Sequence, residues 1–380
     1  MKKLALTIFF DVFILMLLGL IIVMSASSTY SVVKFDSVFA LFESHLPKVL
    51  LSIVFMIGFC FIPYDIYRTL SKPAIVFTAI LLLMTLFIAP DVKGASRWLN
   101  LGFTTIQPAD IAKLVLIIHL AYLLTDKNNI LESYRHGFLY LFIWVLIISG
   151  LIMLQPNISN GTVLIVISLI IMYVGGAKLK HILLSVLPFI TLGGLVVLFH
   201  SHARARISSF IGNVIHGNDP NLQVKQALYS LGSGGVTGVG IGNSMQNNLF
   251  LPEAYGDFIF AILGEEMGFI GTTLVIAGFI IFFFAGVLVA KKAKDQFAQL
   301  LAFGITLSIT YYAFVNIAVT TGLLPTTGLP LPFISYGGTS LFFLGISVGI
   351  LINIALSNTI KKDTGSFIIP DRKPVSIAGV

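Results

Sequence analysis

The sequence predicts an all-α polytopic membrane protein with about ten transmembrane helices. Three observations lead there. Of its 380 residues, 57% are hydrophobic and 10% are charged, too few charges to cover a water-facing surface. The apolar residues gather in ten stretches, most of them about as long as a bilayer-spanning helix. The connections on one side are short and basic, with Lys2, Lys3, Arg68, Lys72, Lys178, Lys180, Lys291, Lys292, Lys294, Lys361 and Lys362 among them, which puts both termini in the cytoplasm. This composition excludes a cytosolic enzyme and a disordered chain. The net charge of +7 then reflects topology, not nucleic-acid binding. A single cysteine, Cys60, excludes an intrachain disulfide and any zinc site needing two cysteines.

In order, the expected spans are 4–24, 47–62, 73–89, 108–124, 138–154, 161–176, 182–199, 258–290, 297–319 and 340–356. The first follows Lys2 and Lys3 like a signal peptide, but it is long and carries Asp11, so an uncleaved helix is expected. The second and sixth are short and extend into flanking polar residues. The eighth is long enough to start above the membrane or to tilt. Residues 1–360 read as one transmembrane domain, with a large extracytoplasmic loop (about 200–257) between the seventh and eighth helices. Residues 361–380 read as a cytoplasmic tail.

The outer connections 90–110, 155–162, 200–257 and 320–340 hold glycines, prolines, asparagines, arginines and acids. Polar, non-helical backbone at membrane depth survives only when buried in protein or lining a wet cavity, so an outward-opening functional cavity is expected.

Pro108 suits the first turn of the fourth span, Asp110 complements the dipole there, and Lys113 shares its face three residues on. Arg97 and Trp98 just before are either interfacial anchors or part of a site. The glycine-rich stretch 231–243 has neither P-loop nor dinucleotide spacing; Gly234 and Gly235 permit close backbone approach or a nest for a phosphate oxygen. Asp257 stands where the outer loop meets the eighth span, in apolar surroundings that suit a general base. Glu265 and Glu266 lie deeper and read first as members of a structural ion pair. Pro330, Pro332, Gly337 and Gly338 exclude regular helix over 327–338, so this apolar segment is expected to re-enter or to form a wall. His119 has no partner at metal-ligand spacing and is expected to pack or line a cavity.

Arg97-Trp98-Leu99, Gln107-Pro108, Lys113, Gln155-Pro156, Gln226-Ala227, Gly232-Ser233-Gly234-Gly235, Leu251-Pro252-Glu253, Asp257-Phe258-Ile259-Phe260, Glu265-Glu266 and the run from Gly328 to Gly338 occur in this order. Together they resemble the SEDS family (shape, elongation, division and sporulation) over nearly the whole chain, its FtsW branch more than its RodA branch. The resemblance implies a bacterial peptidoglycan glycosyltransferase of the cell membrane. It would polymerise lipid II at the division septum, by inverting transfer with undecaprenyl pyrophosphate leaving. Asp257 would be catalytic. Arg97, Trp98, Gln107, Lys113, Arg206, Gln226, Glu253 and Ser335 would bind substrate. Asp110, Glu265, Glu266, Gly234, Gly235, Pro330, Pro332, Gly337 and Gly338 would support them. Lys113 would either help to neutralise the leaving group or pair with Asp257.

The implied partners are lipid II, a class B penicillin-binding protein, other divisome membrane proteins and membrane lipid, with no nucleic acid. A divalent cation, Mg or Mn, stays open as a cofactor. The alternatives are a lipid II flippase, a RodA-like elongation polymerase and a non-catalytic scaffold. The family usually has Glu where Asp110 stands and Asp where Asn157 stands.

Overall fold

The computed structural model describes residues 1–89, 97–100, 105–126, 133–187, 201–216, 221–246, 251 and 254–357. Helices dominate: α1 (Lys2–Ala26), α2 (Ser28–Phe35), α3 (Ala40–Cys60), α4 (Asp65–Ile88), α5 (Pro108–Asp126), α6 (Leu139–Leu154, entered through a π-helical turn Tyr134–Phe138) and α7 (Ile158–Val174). Next come α8, described over residues 179–187, then α9 (Ser201–His216), α10 (Leu222–Ser233), α11 (Ile259–Lys292), α12 (Gln296–Thr320) and α13 (Thr339–Ser357).

Among the described residues, eight helices are long and apolar enough to cross a membrane, and α7 is a shorter apolar helix. They match nine of the expected spans. The other, 182–199, is described only to 187, and the tail 361–380 lies outside the described residues. The protein is a multi-pass membrane protein. The second span starts at Ala40, seven residues earlier than its apolar run, and draws in the buried His45.

The expected all-α class holds, with a two-residue antiparallel ladder of Leu99–Asn100 and Thr105–Ile106 before α5. The outer connection 200–257 carries helices of its own: α9 and α10 lie within it, and α10 packs on α11. The two helices have polar residues on one face, which is why an apolar-run reading passes over them.

The bundle is centred on α5, which packs against α4, α6, α7, α12 and α13. Most of α5 is buried, whereas α3 and α4 expose large apolar residues such as Val54, Phe77 and Phe87 on the lipid side. The closest helix pair is α3 with α13. Gly345 and Gly349, one turn apart, lie directly on the Ser52 and Met56 carbonyls, and a Cβ at either would overlap that backbone. Small residues at this spacing are how helices approach closely in a membrane. At the inner end, Asn353 ties α13 to the α3–α4 connection by donating to the Cys60 carbonyl (2.7 Å) and accepting from Tyr64 N–H (3.1 Å).

α11 is two helices end to end. Gly268 has φ 66° and ψ −162°, so the apolar run that reads as one span is broken there.

Candidate functional site

Two polar groups lie toward the end of the bundle where α5 and α13 begin, the end expected to face outward. The deeper one sits in the first turn of α5. Pro108 opens the helix, so Asp110 and Lys113 fall on one face and pair at 2.7 Å. The Thr339 hydroxyl, at the start of α13, donates to the second Asp110 oxygen (3.3 Å) and accepts from Gln107 N–H (3.1 Å). The Lys113 ammonium also stands over the Tyr312 ring, 4.7 Å from its centroid. The Tyr312 hydroxyl donates to Asn160 (2.8 Å), and the Asn160 amide to Asn157 (2.9 Å). Asp110 and Tyr312 thus hold the ammonium group directly, and Thr339, Asn160 and Asn157 hold those two, five side chains from four helices. Asp110, at 4% exposure, is well placed to balance it.

Asp110 and Lys113 open into a cleft. Pro330, Pro332, Phe333 and Ser335 form one wall, and Ile117, Ile305, Ile309 and Leu344 the depth. The 327–338 segment is the expected apolar wall: non-helical, with Leu329, Leu331, Phe333 and Ile334 buried. The Ser335 hydroxyl is occupied by backbone. It accepts from Leu331 N–H (2.7 Å) and donates to the Gly256 carbonyl (2.8 Å). Its observed work is to bind the wall to the residue before Asp257.

The second group gathers around Arg97. Asp257 ends the turn that leads into α11, with its carboxylate beside Gly328, at whose φ of 72° a side chain would be strained and would crowd that carboxylate. Arg97 reaches the Gln155 carbonyl (3.3 Å) and the Pro156 carbonyl, and Arg206 reaches the Thr326 carbonyl (3.4 Å). Burial and the nearby Arg206 pull the Arg97 guanidinium below its ordinary pKa, while Asp257 pulls it back up. One carboxylate and two guanidinium groups therefore share a field at the outer surface. Trp98 lies against Gly338, and Gly337 meets the first turn of α13 at Ser340.

Among the described residues, no group of three or more His, Cys, Asp or Glu is gathered to hold a metal. The cations beside Asp257 are guanidinium groups.

Lys113 pairs with Asp110, as the three-residue spacing predicts, which leaves the alternative pairing with Asp257 unneeded. Other expected placements change. Glu265 and Glu266 are not a helix-borne ion pair but hydrogen-bond acceptors for the glycine-rich loop. Glu265 takes the Ser230 (2.9 Å) and Ser244 (2.5 Å) hydroxyls and the Met245 (3.0 Å) and Gln246 (3.4 Å) N–H groups. Glu266 takes the Ser25 hydroxyl and Gly242 N–H (3.1 Å). Gly234 lies against the Gly264 carbonyl, and Gly235 has φ 53°, so these two glycines serve packing of the loop on α11. Gln226 is half-buried on α10 and is not among the residues lining the cleft. Glu253 lies outside the described residues. His119 packs between Ser71 (2.8 Å) and Trp144, as expected.

The chain matches the Cell cycle protein family (FTSW_RODA_SPOVE) over residues 5–360. It belongs to that family. Among curated relatives of this SEDS protein, "Stage V sporulation protein E" of Bacillus subtilis (strain 168) is 36% identical, over 90% of this chain and 94% of the relative. "Probable peptidoglycan glycosyltransferase FtsW" of Geobacter sp. (strain M18) is 34% identical, over 90% and 94%.

Solved structures share the fold. A chain from "Structural coordination of polymerization and crosslinking by a peptidoglycan synthase complex" superposes with TM-score 0.73 at 20% identity, covering 92% of this chain and 97% of that one. The rod shape determining protein RodA of Thermus thermophilus superposes with TM-score 0.66 at 22% identity, covering 92% and 96%.

Sequence reasoning missed Tyr312, Asn160, Thr339 and Asn316. The Asn316 amide donates to both the Asp257 and the Leu329 carbonyls, each at 2.7 Å, and so joins the start of α11 to the wall. The available signal was an asparagine and a tyrosine inside an apolar 25-residue span, where polar side chains are costly and usually bonded.

Proposed function

We propose that this SEDS protein is a peptidoglycan glycosyltransferase that polymerises lipid II into glycan strands at the outer face of the membrane. The observation that carries the reading is that Asp257, Arg97 and Arg206 share one field, with Asp257 and Arg206 set against the segment that goes on to wall the cleft holding Lys113. Asp257 takes the proton from the 4-hydroxyl of the acceptor's N-acetylglucosamine. The freed oxygen attacks the anomeric carbon of the donor strand's N-acetylmuramic acid, and the bond to the pyrophosphate breaks with inversion. Charge gathers on the leaving undecaprenyl pyrophosphate, where Arg97, Arg206 and Lys113 are the cations within the site. An activated donor needs less acid assistance than glycoside hydrolysis, so one carboxylate and several cations suffice. The apolar wall from Pro330 to Phe333 accepts the lipid tail from the side.

A lipid II flippase needs polar groups running to the inner leaflet. Below Lys113 the cleft is lined mainly by Ile117, Ile305, Ile309, Phe343 and Leu344, which favours an enzyme working from one face. The family membership and the FtsW names of several relatives support septal synthesis with a class B penicillin-binding protein as the cross-linking partner. The test is Asp257→Asn. At normal membrane levels it abolishes strand synthesis from purified lipid II; full synthesis by this variant removes Asp257 as the base.

A further inference from the structure

The outer end of the bundle carries a row of rings and cations that glycosyl transfer at Asp257 does not use. Tyr30 on α2, Tyr255 in the turn before α11 and Tyr336 near the end of the 327–338 wall segment come from three distant segments. Their centroids lie 5.1 Å (Tyr30 to Tyr255) and 5.7 Å (Tyr255 to Tyr336) apart. A lysine closes each end. Lys34 Nζ stands 5.3 Å from the Tyr30 centroid and Lys48 Nζ 4.8 Å from the Tyr336 centroid. Both lysines are held by hydroxyls: Lys34 by Tyr30 (2.9 Å), Lys48 by Ser44 (3.1 Å) and Tyr336 (3.3 Å). Among the described residues neither has a carboxylate within 4.0 Å. The three rings and Lys48 are partly exposed, and Lys34 and Ser44 are fully on the surface.

An interfacial belt of tyrosine and lysine rings a bundle without converging on one point. Here three rings from separate segments converge in successive contact, and the middle of the row is built into the catalytic scaffold. Tyr336 N–H donates to the Tyr255 carbonyl (2.9 Å), and Ser335 donates to the Gly256 carbonyl, next to Asp257.

We propose that the row Lys34–Tyr30–Tyr255–Tyr336–Lys48 is a track for the nascent glycan strand, which deepens, and rests on, the glycosyltransferase reading. The C–H faces of pyranose rings stack on tyrosine, and acidic substituents of the strand meet the two lysines. Between additions the strand must stay near Asp257 while a new lipid-linked unit enters. A track slows release relative to extension, so it governs strand length and leaves the rate of each transfer alone.

The test uses the full chain, co-purified with its penicillin-binding partner, reconstituted in liposomes and given lipid II. Initial consumption and strand length are read for the unaltered protein, Tyr30→Ala, Tyr30→Phe and Lys34→Gln. Tyr30→Ala and Lys34→Gln shorten the strands several-fold with initial rate within about twofold of the unaltered protein, and Tyr30→Phe, which keeps the ring, retains the length. Unchanged length in Tyr30→Ala and Lys34→Gln overturns the track. A rate that falls together with length in Tyr30→Phe also overturns it, since that marks a structural role. Failure of the unaltered protein to consume lipid II overturns the glycosyltransferase reading itself.

Discussion

Lys113 shows what a functional cation at membrane depth requires. An ammonium group away from water needs an anion, a ring or hydrogen-bond acceptors around it. Here Asp110 supplies the first and Tyr312 the second, while Asn160 fixes the Tyr312 hydroxyl. Removing one partner of a buried pair typically costs about 3–5 kcal/mol. Because Lys113 keeps a fifth of its side chain exposed, Asp110→Asn belongs at the lower end, about 3 kcal/mol, read as a lowered unfolding midpoint in detergent. The double variant Asp110→Asn with Lys113→Gln costs less than the sum of the two single changes, because they share one interaction. Tyr312→Phe keeps the ring over the ammonium, whereas Tyr312→Leu loses it; strand synthesis therefore falls clearly further in Tyr312→Leu. The pairing of Asp110 with Lys113 was legible because a helix puts positions three apart side by side. Tyr312 and Asn160 were not legible, because periodicity tells which way a side chain faces and not which distant helix faces it. The departure at Asn157 also has its account in the structure: the side chain there is buried and accepts the Asn160 amide, a neutral contact that needs no charge.

At the scale of elements, the glycine-rich loop and the outer piece of α11 form one unit. Val239 and Gly240 donate to the Glu265 and Glu266 carbonyls, while Phe269 and Ile270 donate back to Gly235 and Val236. This exchange is possible because Gly238 and Gly268 have positive φ, at 83° and 66°, and lie against each other's backbone with no room for a Cβ. Gly268→Ala adds left-handed strain of about 1–2 kcal/mol and a backbone clash. Its expected outcome is a marked fall in thermal stability, with the loop around Val236 more readily cleaved by added protease. Asn316→Leu removes both hydrogen bonds between α12 and the site. At about 1 kcal/mol each, with the Asp257 and Leu329 carbonyls left unpaired, the variant loses about 2 kcal/mol and most of its strand synthesis. A reading based on apolar runs found both ends of α11 yet ran straight through the break. Nothing local marks Gly268: a glycine inside an apolar stretch reads the same whether the helix continues or turns aside. The short helices α9 and α10 stayed hidden for the opposite reason, being too polar to register as spans.

For the whole molecule, hydropathy was enough for nine of the spans, because the bilayer admits so few backbone arrangements, and the basic residues add an expected direction. The orientation has a direct check in cells that lack Cys60: Ser37→Cys reacts with an impermeant maleimide from outside, and Lys294→Cys reacts only after the membrane is opened. The cellular role has its own readout. Depletion gives filaments for a division polymerase and rounded cells for an elongation polymerase. One consequence of the Gly268 break concerns force. Residues 259–267 form a stiff rod about 13 Å long. Asp257 rides just beyond one end, and the glycine loop bonds both sides of the break at the other, Glu265 and Glu266 before it and Phe269 and Ile270 after it. The loop therefore splints the two pieces of α11, and load on either piece reaches the Asp257 end through that splint and not through Gly268 alone.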